Sequence, residues 1–224
     1  IGKISFPVLA SLQSEPDRLL LNYKKFLTST TFITLILLIS IAASAKSLIL
    51  TLIGEKWTDS IIYLQLLCFV GIFYPLHAMT RTLLYVYGKS KLFLYLQIAS
   101  KLLTIPAIII GIFFGIKPMI ICMIGAGAIE YLMKAFFSGK IAGYPIGKQL
   151  EDMFPGFLIA LFIGGCLFFL DSLVSSGPMI TLILQAGLGI ILTIGLSELF
   201  KIPEFIFIKT TIKDKIRETL IRRG

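Results

Sequence analysis

Between Phe26 and Ala45 the chain runs for 20 residues without one charged side chain. A helix of about 20 residues crosses the roughly 30 Å hydrocarbon core of a bilayer, because each residue adds about 1.5 Å. Five further long apolar runs follow. The six predicted spans are Phe26–Ala45, Ser60–Tyr87, Leu92–Gly115, Pro118–Ser138, Met153–Leu170 and Pro178–Phe200. The sequence therefore predicts an all-α, polytopic membrane bundle with six transmembrane helices over residues 26–200.

The composition agrees with a membrane protein. Hydrophobic residues make up 57% of the 224 residues and charged residues 15%, and the mean hydropathy is +0.94. A soluble core of this size could not hide so many apolar side chains, so an ordinary cytosolic enzyme is excluded. The fifth run ends at Asp171 and has barely enough residues to cross the membrane. An interfacial hairpin is therefore an alternative for this segment. Because Ile1 rather than Met opens the chain, we expect a piece of a longer protein.

The distribution of basic residues predicts the orientation, since loops rich in lysine and arginine stay in the cytoplasm. One set of connections holds 15 of the 21 basic residues, and the opposite set holds 3. The smaller set is Lys46, Lys56 and Lys117, and the larger set lies at 3–25, 89–91, 140–148 and 201–223. We therefore expect both termini of the chain to be cytoplasmic.

Two segments outside the predicted spans look peripheral. Residues 1–25 form a predicted cytoplasmic loop with an amphipathic helix that begins near Ser14-Glu15-Pro16-Asp17, with proline in the first turn. Residues 201–224 form a basic tail in which Ile212, Ile216 and Leu220 recur at four-residue spacing. Such segments bind anionic lipids at the cytoplasmic face. The net charge of +9 is thus explained by membrane orientation, and we expect no nucleic-acid partner.

Ionisable and polar side chains also fall inside the predicted spans, where an ionisable group costs at least about 2.5–3.5 kcal/mol and is a functional candidate. They form three pairs at four-residue spacing, so each pair shares a helix face. The pairs are His77 with Arg81, Gln97 with Lys101, and Glu130 with Lys134. Lys101 and Glu130 lie near the middle of their spans. Arg81 and Lys134 are close enough to the cytoplasmic ends to extend to the membrane surface.

These residues have a formal charge of +2 when His77 is neutral, which suits an anionic substrate in a water-filled cavity. We assign Lys101, Arg81, His77 and Gln97 to substrate binding. Glu130 and Lys134 are a coupling site or a structural ion pair. An alternative is that Glu130 pairs with Lys101 or Lys134 only to pack helices together.

The sequence lacks the common signatures of enzymes and metal sites. It holds one histidine and has neither a zinc motif, a Walker-type loop nor a dinucleotide-binding glycine pattern. Cys68, Cys122 and Cys166 each stand alone in an apolar run, without metal-ligand spacing. We therefore expect a protein that is not an enzyme, and no cofactor beyond a coupling ion.

Several short motifs together resemble a known family. They are Phe6-Pro7-Val8-Leu9-Ala10-Ser11-Leu12-Gln13, Glu15-Pro16-Asp17-Arg18-Leu19, Tyr23-Lys24-Lys25, Gly54-Glu55-Lys56-Trp57 and Gly88-Lys89-Ser90. The region from about Phe6 to Tyr144 is similar to the C-terminal half of bacterial polysaccharide flippases, which belong to the multidrug/oligosaccharidyl-lipid/polysaccharide exporter superfamily.

The resemblance implies one lobe of a two-lobed exporter with a cationic cavity in the bacterial inner membrane. Such proteins move undecaprenyl-pyrophosphate-linked oligosaccharides to the periplasmic leaflet by alternating access, for surface glycans such as O-antigen, lipopolysaccharide or exopolysaccharide. H⁺ or Na⁺ coupling is proposed for some members. The expected partners are the lipid-linked oligosaccharide, membrane lipids and the N-terminal lobe of the same protein.

Two alternatives to the flippase stay open. A drug or cation exporter of the same superfamily would favour an acidic and aromatic cavity, for which Glu130 is the one candidate. A membrane-embedded glycan polymerase or transferase would need a large periplasmic loop with arginine or histidine. The longest loop on that side, Lys46 to Asp59, is short and partly apolar.

Overall fold

The computed structural model describes residues 2–174 and 177–199, with side chains from residue 5 onward. Every regular element within these residues is helical. The α-helices are α1 (Gly2–Ser11), α2 (Pro16–Ala43), α3 (Ala45–Leu52), α4 (Ser60–Val86), α5 (Ser90–Phe114), α6 (Ile116–Ala142), α7 (Ile146–Leu173) and α8 (Pro178–Leu199), with one 3₁₀ turn at Glu55–Trp57. The predicted basic tail at 201–224 lies outside the described residues.

Six of these helices, α2 and α4 to α8, are long and apolar enough to cross a membrane. The predicted all-α bundle with six spans is confirmed, and the chain is a multi-pass membrane protein. The helices extend beyond several of the predicted limits. Helix α7, for example, begins at Ile146 rather than Met153 and has 28 residues. At about 1.5 Å per residue its length of roughly 42 Å exceeds the bilayer core.

The first span differs from the prediction at its start. Helix α2 begins at Pro16, as the proline predicts, but continues without a break to Ala43. The predicted separate amphipathic helix before residue 26 is therefore wrong, because these residues are the first turns of α2. The physical reason is that Leu19, Tyr23 and Leu27 are all buried, so one apolar face runs through the predicted boundary.

Helices α2 and α7 approach each other at two glycines of α7. A Cβ atom on Gly156 would lie 3.0 Å from Cδ2 of Phe32, and one on Gly164 would overlap Cγ2 of Ile39. The small residues thus admit the large side chains of α2, which is a common way for membrane helices to pack closely.

Ion pairs join α7 to α2 at one end and to α3, which directly follows α2 in the chain, at the other. Lys24 Nζ lies 2.7 Å from Asp152 Oδ2 near the start of α7, and Lys46 Nζ lies 3.0 Å from Asp171 Oδ2 near its end. Ser47 donates a further hydrogen bond of 2.8 Å to Asp171. The two pairs show that α2 and α7 run parallel, as the first and fifth spans of an alternating bundle must.

Helix α4 lies at the centre of the described chain. Its buried face, with Leu76, Met79 and Leu83, packs against α1, α2 and α6. Helix α5 packs chiefly against α6. Helix α8 contacts α3 and α7, and its Gln185 side chain donates a hydrogen bond of 3.0 Å to the Leu167 carbonyl. The polar residues of three neighbouring helices, α4, α5 and α6, consequently come within reach of one another.

Candidate functional site

The structure brings together four of the six predicted site residues where α4, α5 and α6 meet. With a serine that the sequence analysis did not single out, they form the polar cluster: His77, Gln97, Ser100, Glu130 and Lys134. His77 precedes the end of α4 at Val86 by nine residues, and Lys134 precedes the end of α6 at Ala142 by eight. At about 1.5 Å per residue, both lie roughly 12–14 Å from the helix ends predicted to be cytoplasmic.

Lys134 is a buried member of the cluster, with 3% of its side chain exposed. It forms an ion pair with Glu130 one turn earlier and donates a hydrogen bond of 3.0 Å to Gln97 Oε1 on α5. Its ammonium group also lies 5.6 Å from the centre of the Phe93 ring. The prediction that Lys134 extends to the membrane surface is therefore wrong, because three partners hold the ammonium inside the bundle.

His77 faces the same carboxylate from α4. Its Nε2 atom lies 3.9 Å from Glu130 Oε2, and its Nδ1 atom is buried without a hydrogen-bond partner among the described residues. The imidazole would form a second ion pair with Glu130 only when protonated. Glu130 thus lies between the Lys134 ammonium, with which it forms an ion pair, and the His77 imidazole, which attracts the carboxylate only when it is protonated.

Ser100 completes the cluster from α5. Its hydroxyl donates a hydrogen bond of 2.7 Å to the Leu96 carbonyl and lies beside the Glu130 carboxylate. The signal that could have identified Ser100 is its spacing, because it follows Gln97 by three residues and so continues the same helix face. Phe93, which precedes Gln97 by four residues, has the same signal.

Arg81 and Lys101 lie outside the polar cluster. Both are exposed, and neither forms an ion pair with a described residue. Lys101 follows the buried Ser100 by one residue, which turns it about 100° around α5. There it lies on the exposed side of the helix with Ile98 and Leu102. Gln97 and Lys101 were expected to share a helix face. In the structure Gln97 belongs to the polar cluster, whereas Lys101 lies on the outer surface of the described chain.

A second polar group joins α2 and α7 at the end predicted to be cytoplasmic. Tyr144, in the loop between α6 and α7, donates a hydrogen bond to Asp152, which also pairs with Lys24. Burial raises the pKa of the Tyr144 hydroxyl well above its ordinary value, and the Asp152 carboxylate raises it further. Gly143, at φ +70°, provides the left-handed turn that brings the loop back to α7. This group joins α2, α7 and the loop before α7, and no sequence pattern considered above predicts it.

Within residues 2–174 and 177–199, no group of three histidine, cysteine, aspartate or glutamate residues is placed to hold a metal ion. The polar cluster has one carboxylate, one ammonium group and one imidazole. It can neutralise charge internally and bind or release a proton. Among the six predicted site residues, Arg81 and Lys101 are the two charges that are left to attract an anion.

Comparison with known proteins identifies relatives in polysaccharide synthesis. A family described as "Polysaccharide biosynthesis protein" matches residues 1–62. The lipopolysaccharide biosynthesis protein WzxC of Escherichia coli (strain K12) is 29% identical over 111 residues, covering 50% of this chain and 23% of that protein. An uncharacterized membrane protein in the cps region of Klebsiella pneumoniae is 27% identical over 160 residues, covering 71% of this chain and 32% of that protein.

The matched part of the chain spans less than a third of each of these two relatives. No solved structure matches the chain significantly. The matches support a polysaccharide flippase-type family, as the motifs near Phe6 and Gly54 indicate, and a membrane protein of polysaccharide synthesis.

Proposed function

We propose that the chain forms one lobe of a flippase that moves undecaprenyl-pyrophosphate-linked oligosaccharides across the bacterial inner membrane by alternating access. The other lobe would be the N-terminal part of the same protein, and the route would run from the cytoplasmic to the periplasmic leaflet. The observation that carries this proposal is that Arg81 and Lys101 remain exposed and unpaired among the described residues, although they lie inside membrane-spanning helices.

The charge balance of the six predicted site residues supports an anionic substrate. Glu130 and Lys134 neutralise each other, so the formal charge of +2 resides on Arg81 and Lys101. An unpaired cation facing lipid is costly, whereas a phosphate-bearing substrate compensates its charge. We infer that these two side chains face the cavity between the lobes and contact the pyrophosphate.

The depths of the two cations suggest an order of contact. Arg81 lies five residues before the end of α4, and Lys101 lies 11 residues after the start of α5. At about 1.5 Å per residue, these positions are roughly 8 and 17 Å from the helix ends predicted to be cytoplasmic. A pyrophosphate entering from the cytoplasmic leaflet would meet Arg81 first and Lys101 second.

The polar cluster has a different role in this proposal. Because Glu130 is already bound by Lys134, we assign the pair chiefly to holding α5 and α6 together, with His77 as the group that senses a proton. H⁺ or Na⁺ coupling would act through this cluster. A drug exporter that binds a cation at Glu130 has less support, because the carboxylate is occupied. The assignment to transport rather than catalysis follows the flippase-type relatives.

The test uses the full-length gene in its own bacterium, in a strain from which the chromosomal copy is deleted. Lys101→Ala and Arg81→Ala should reach the membrane at normal abundance but lower surface polysaccharide about tenfold, while Lys101→Arg should retain part of the export. Lys91→Ala is the matched control for Lys101→Ala, because Lys91 is an exposed lysine in the first turn of α5, the helix that also carries Lys101. Normal export by Lys101→Ala and Arg81→Ala at equal abundance would contradict the proposal.

A further inference from the structure

Helix α4 carries three tyrosines at a constant spacing of 11 residues: Tyr63, Tyr74 and Tyr85. Eleven residues complete three turns and about 20°, so the three side chains lie on one stripe of the helix, with steps of about 16–17 Å. From Tyr63 to Tyr85 the stripe measures about 33 Å, close to the thickness of the hydrocarbon core. Tyr74 consequently lies near the middle of the membrane.

At Tyr74 and Tyr85 the stripe lies on the side of α4 that the described chain leaves uncovered, while Tyr63 is half-buried. Tyr74 is 74% exposed and Tyr85 42% exposed, whereas Leu76, Met79 and Leu83 on the opposite side are buried. Tyrosines at the two membrane interfaces are ordinary, because their hydroxyl groups reach the headgroups. Tyr74 has no such explanation, since a hydroxyl at the bilayer centre would lack hydrogen-bond partners in lipid. Its position therefore indicates a polar environment in front of α4.

Cations accompany the tyrosines on this side of the bundle. Arg81 lies between Tyr74 and Tyr85 and shares their stripe, since it follows Tyr74 by seven residues, which is close to two turns. At the other end, Lys117 Nζ lies 5.9 Å from the centre of the Tyr63 ring. Aromatic faces, hydroxyl groups and positive charge thus occur together along the whole depth of α4.

We propose that Tyr63, Tyr74 and Tyr85 form a tyrosine ladder on which the sugar rings of the transported oligosaccharide stack in succession. The inference rests on the proposed function and names the part of the substrate that α4 recognises. Pyranose rings present C–H faces that pack on aromatic rings, and their hydroxyl groups bond to tyrosine hydroxyls. The ladder would bind the glycan, and Arg81 and Lys101 would bind the pyrophosphate. The alternative, a helix of the full-length protein packed on the stripe, is an outcome of the test.

The test measures the dissociation constants of the purified full-length protein for two probes. One is undecaprenyl pyrophosphate bearing the oligosaccharide repeat of the producing strain, and the other is undecaprenyl pyrophosphate without sugars. Tyr74→Leu should weaken binding of the first probe about 3- to 10-fold and leave the second unchanged. Tyr74→Phe keeps the ring and should lose less than Tyr74→Leu. The control is Phe69→Leu, an exposed aromatic residue of α4 that lies about 140° away from the ladder.

The two probes separate the possible failures. If the wild-type protein binds both probes and Tyr74→Leu binds the oligosaccharide lipid equally well, the ladder is refuted and the proposed function stands. Equal weakening for both probes would indicate that Tyr74 packs against another helix, which also refutes the ladder. If the wild-type protein binds neither probe, the proposed function fails and the ladder with it. Unchanged binding of the bare lipid by a variant shows that the variant is folded.

Discussion

Replacing Glu130 by glutamine would leave the Lys134 ammonium buried without its counter-charge. The structure places that ammonium in an environment with 3% side-chain exposure, where Glu130, Gln97 and the Phe93 ring are its partners. Glutamine preserves the size of the side chain but not its charge. The variant therefore isolates the ion pair from packing.

The expected loss of stability is large for a single substitution. Removing one member of a buried ion pair costs about 3–5 kcal/mol, because the remaining charge is uncompensated. Gln97 and Phe93 would still contact Lys134, so we expect the lower end of that range, about 3 kcal/mol. Lys134→Met in the Glu130→Gln background removes the buried charge, and we expect the double variant to recover about 1–3 kcal/mol of this loss.

The assay is thermal unfolding of the detergent-purified protein, together with its abundance in the membrane. Glu130→Gln should lower both the midpoint temperature and the abundance, and the double variant should recover part of each. A Glu130→Gln protein with normal abundance and midpoint temperature would refute the structural ion pair. If that folded variant also lost the dependence of transport on a pH gradient, Glu130 would be a coupling residue instead.

Three further predictions address packing, pH and orientation. Gly164→Ala should destabilise the protein by about 1–3 kcal/mol because the new Cβ meets Ile39, whereas Gly165→Ala, with no atom within 4 Å of the new Cβ, should not; thermal unfolding distinguishes them. Tyr144→Phe should cost about 1 kcal/mol at pH 8, and this deficit should shrink above about pH 10, where the unfolded tyrosine ionises before the buried one. In a cysteine-free background, Lys56→Cys should react with an impermeant thiol reagent from outside intact cells and Lys89→Cys should not; the reverse pattern would invert the topology.

The membrane helices could be predicted from the sequence because an apolar run of about 20 residues has few alternatives in a bilayer. The helix limits were less predictable. Residues 146–152 include Lys148, Glu151 and Asp152, which suggested a loop before the fifth span. The structure extends α7 through them, because Asp152 forms an ion pair with Lys24 and accepts a hydrogen bond from Tyr144. Lys24 is more than 100 residues away along the chain, so this contact leaves no local signal in the sequence.

The polar cluster was only partly predictable for a similar reason. The four-residue spacing of Glu130 and Lys134 identifies two side chains on one face of a single helix, and the structure places them in contact. The contacts from His77 and Gln97 depend on how α4, α5 and α6 are rotated relative to one another. One residue of difference in position turns a side chain by about 100°, which is why Ser100 lies inside the cluster and Lys101 outside.

Translocation of the lipid-linked oligosaccharide by the full-length protein in proteoliposomes tests the central proposal most directly. The measured quantity is the rate at which undecaprenyl-pyrophosphate-linked oligosaccharide becomes accessible in the opposite leaflet. We predict that the wild-type protein moves the lipid faster than protein-free vesicles and that the double variant Arg81→Ala/Lys101→Ala slows transfer at least about tenfold. A wild-type rate equal to that of protein-free vesicles, or a double variant as fast as the wild type, would contradict the account.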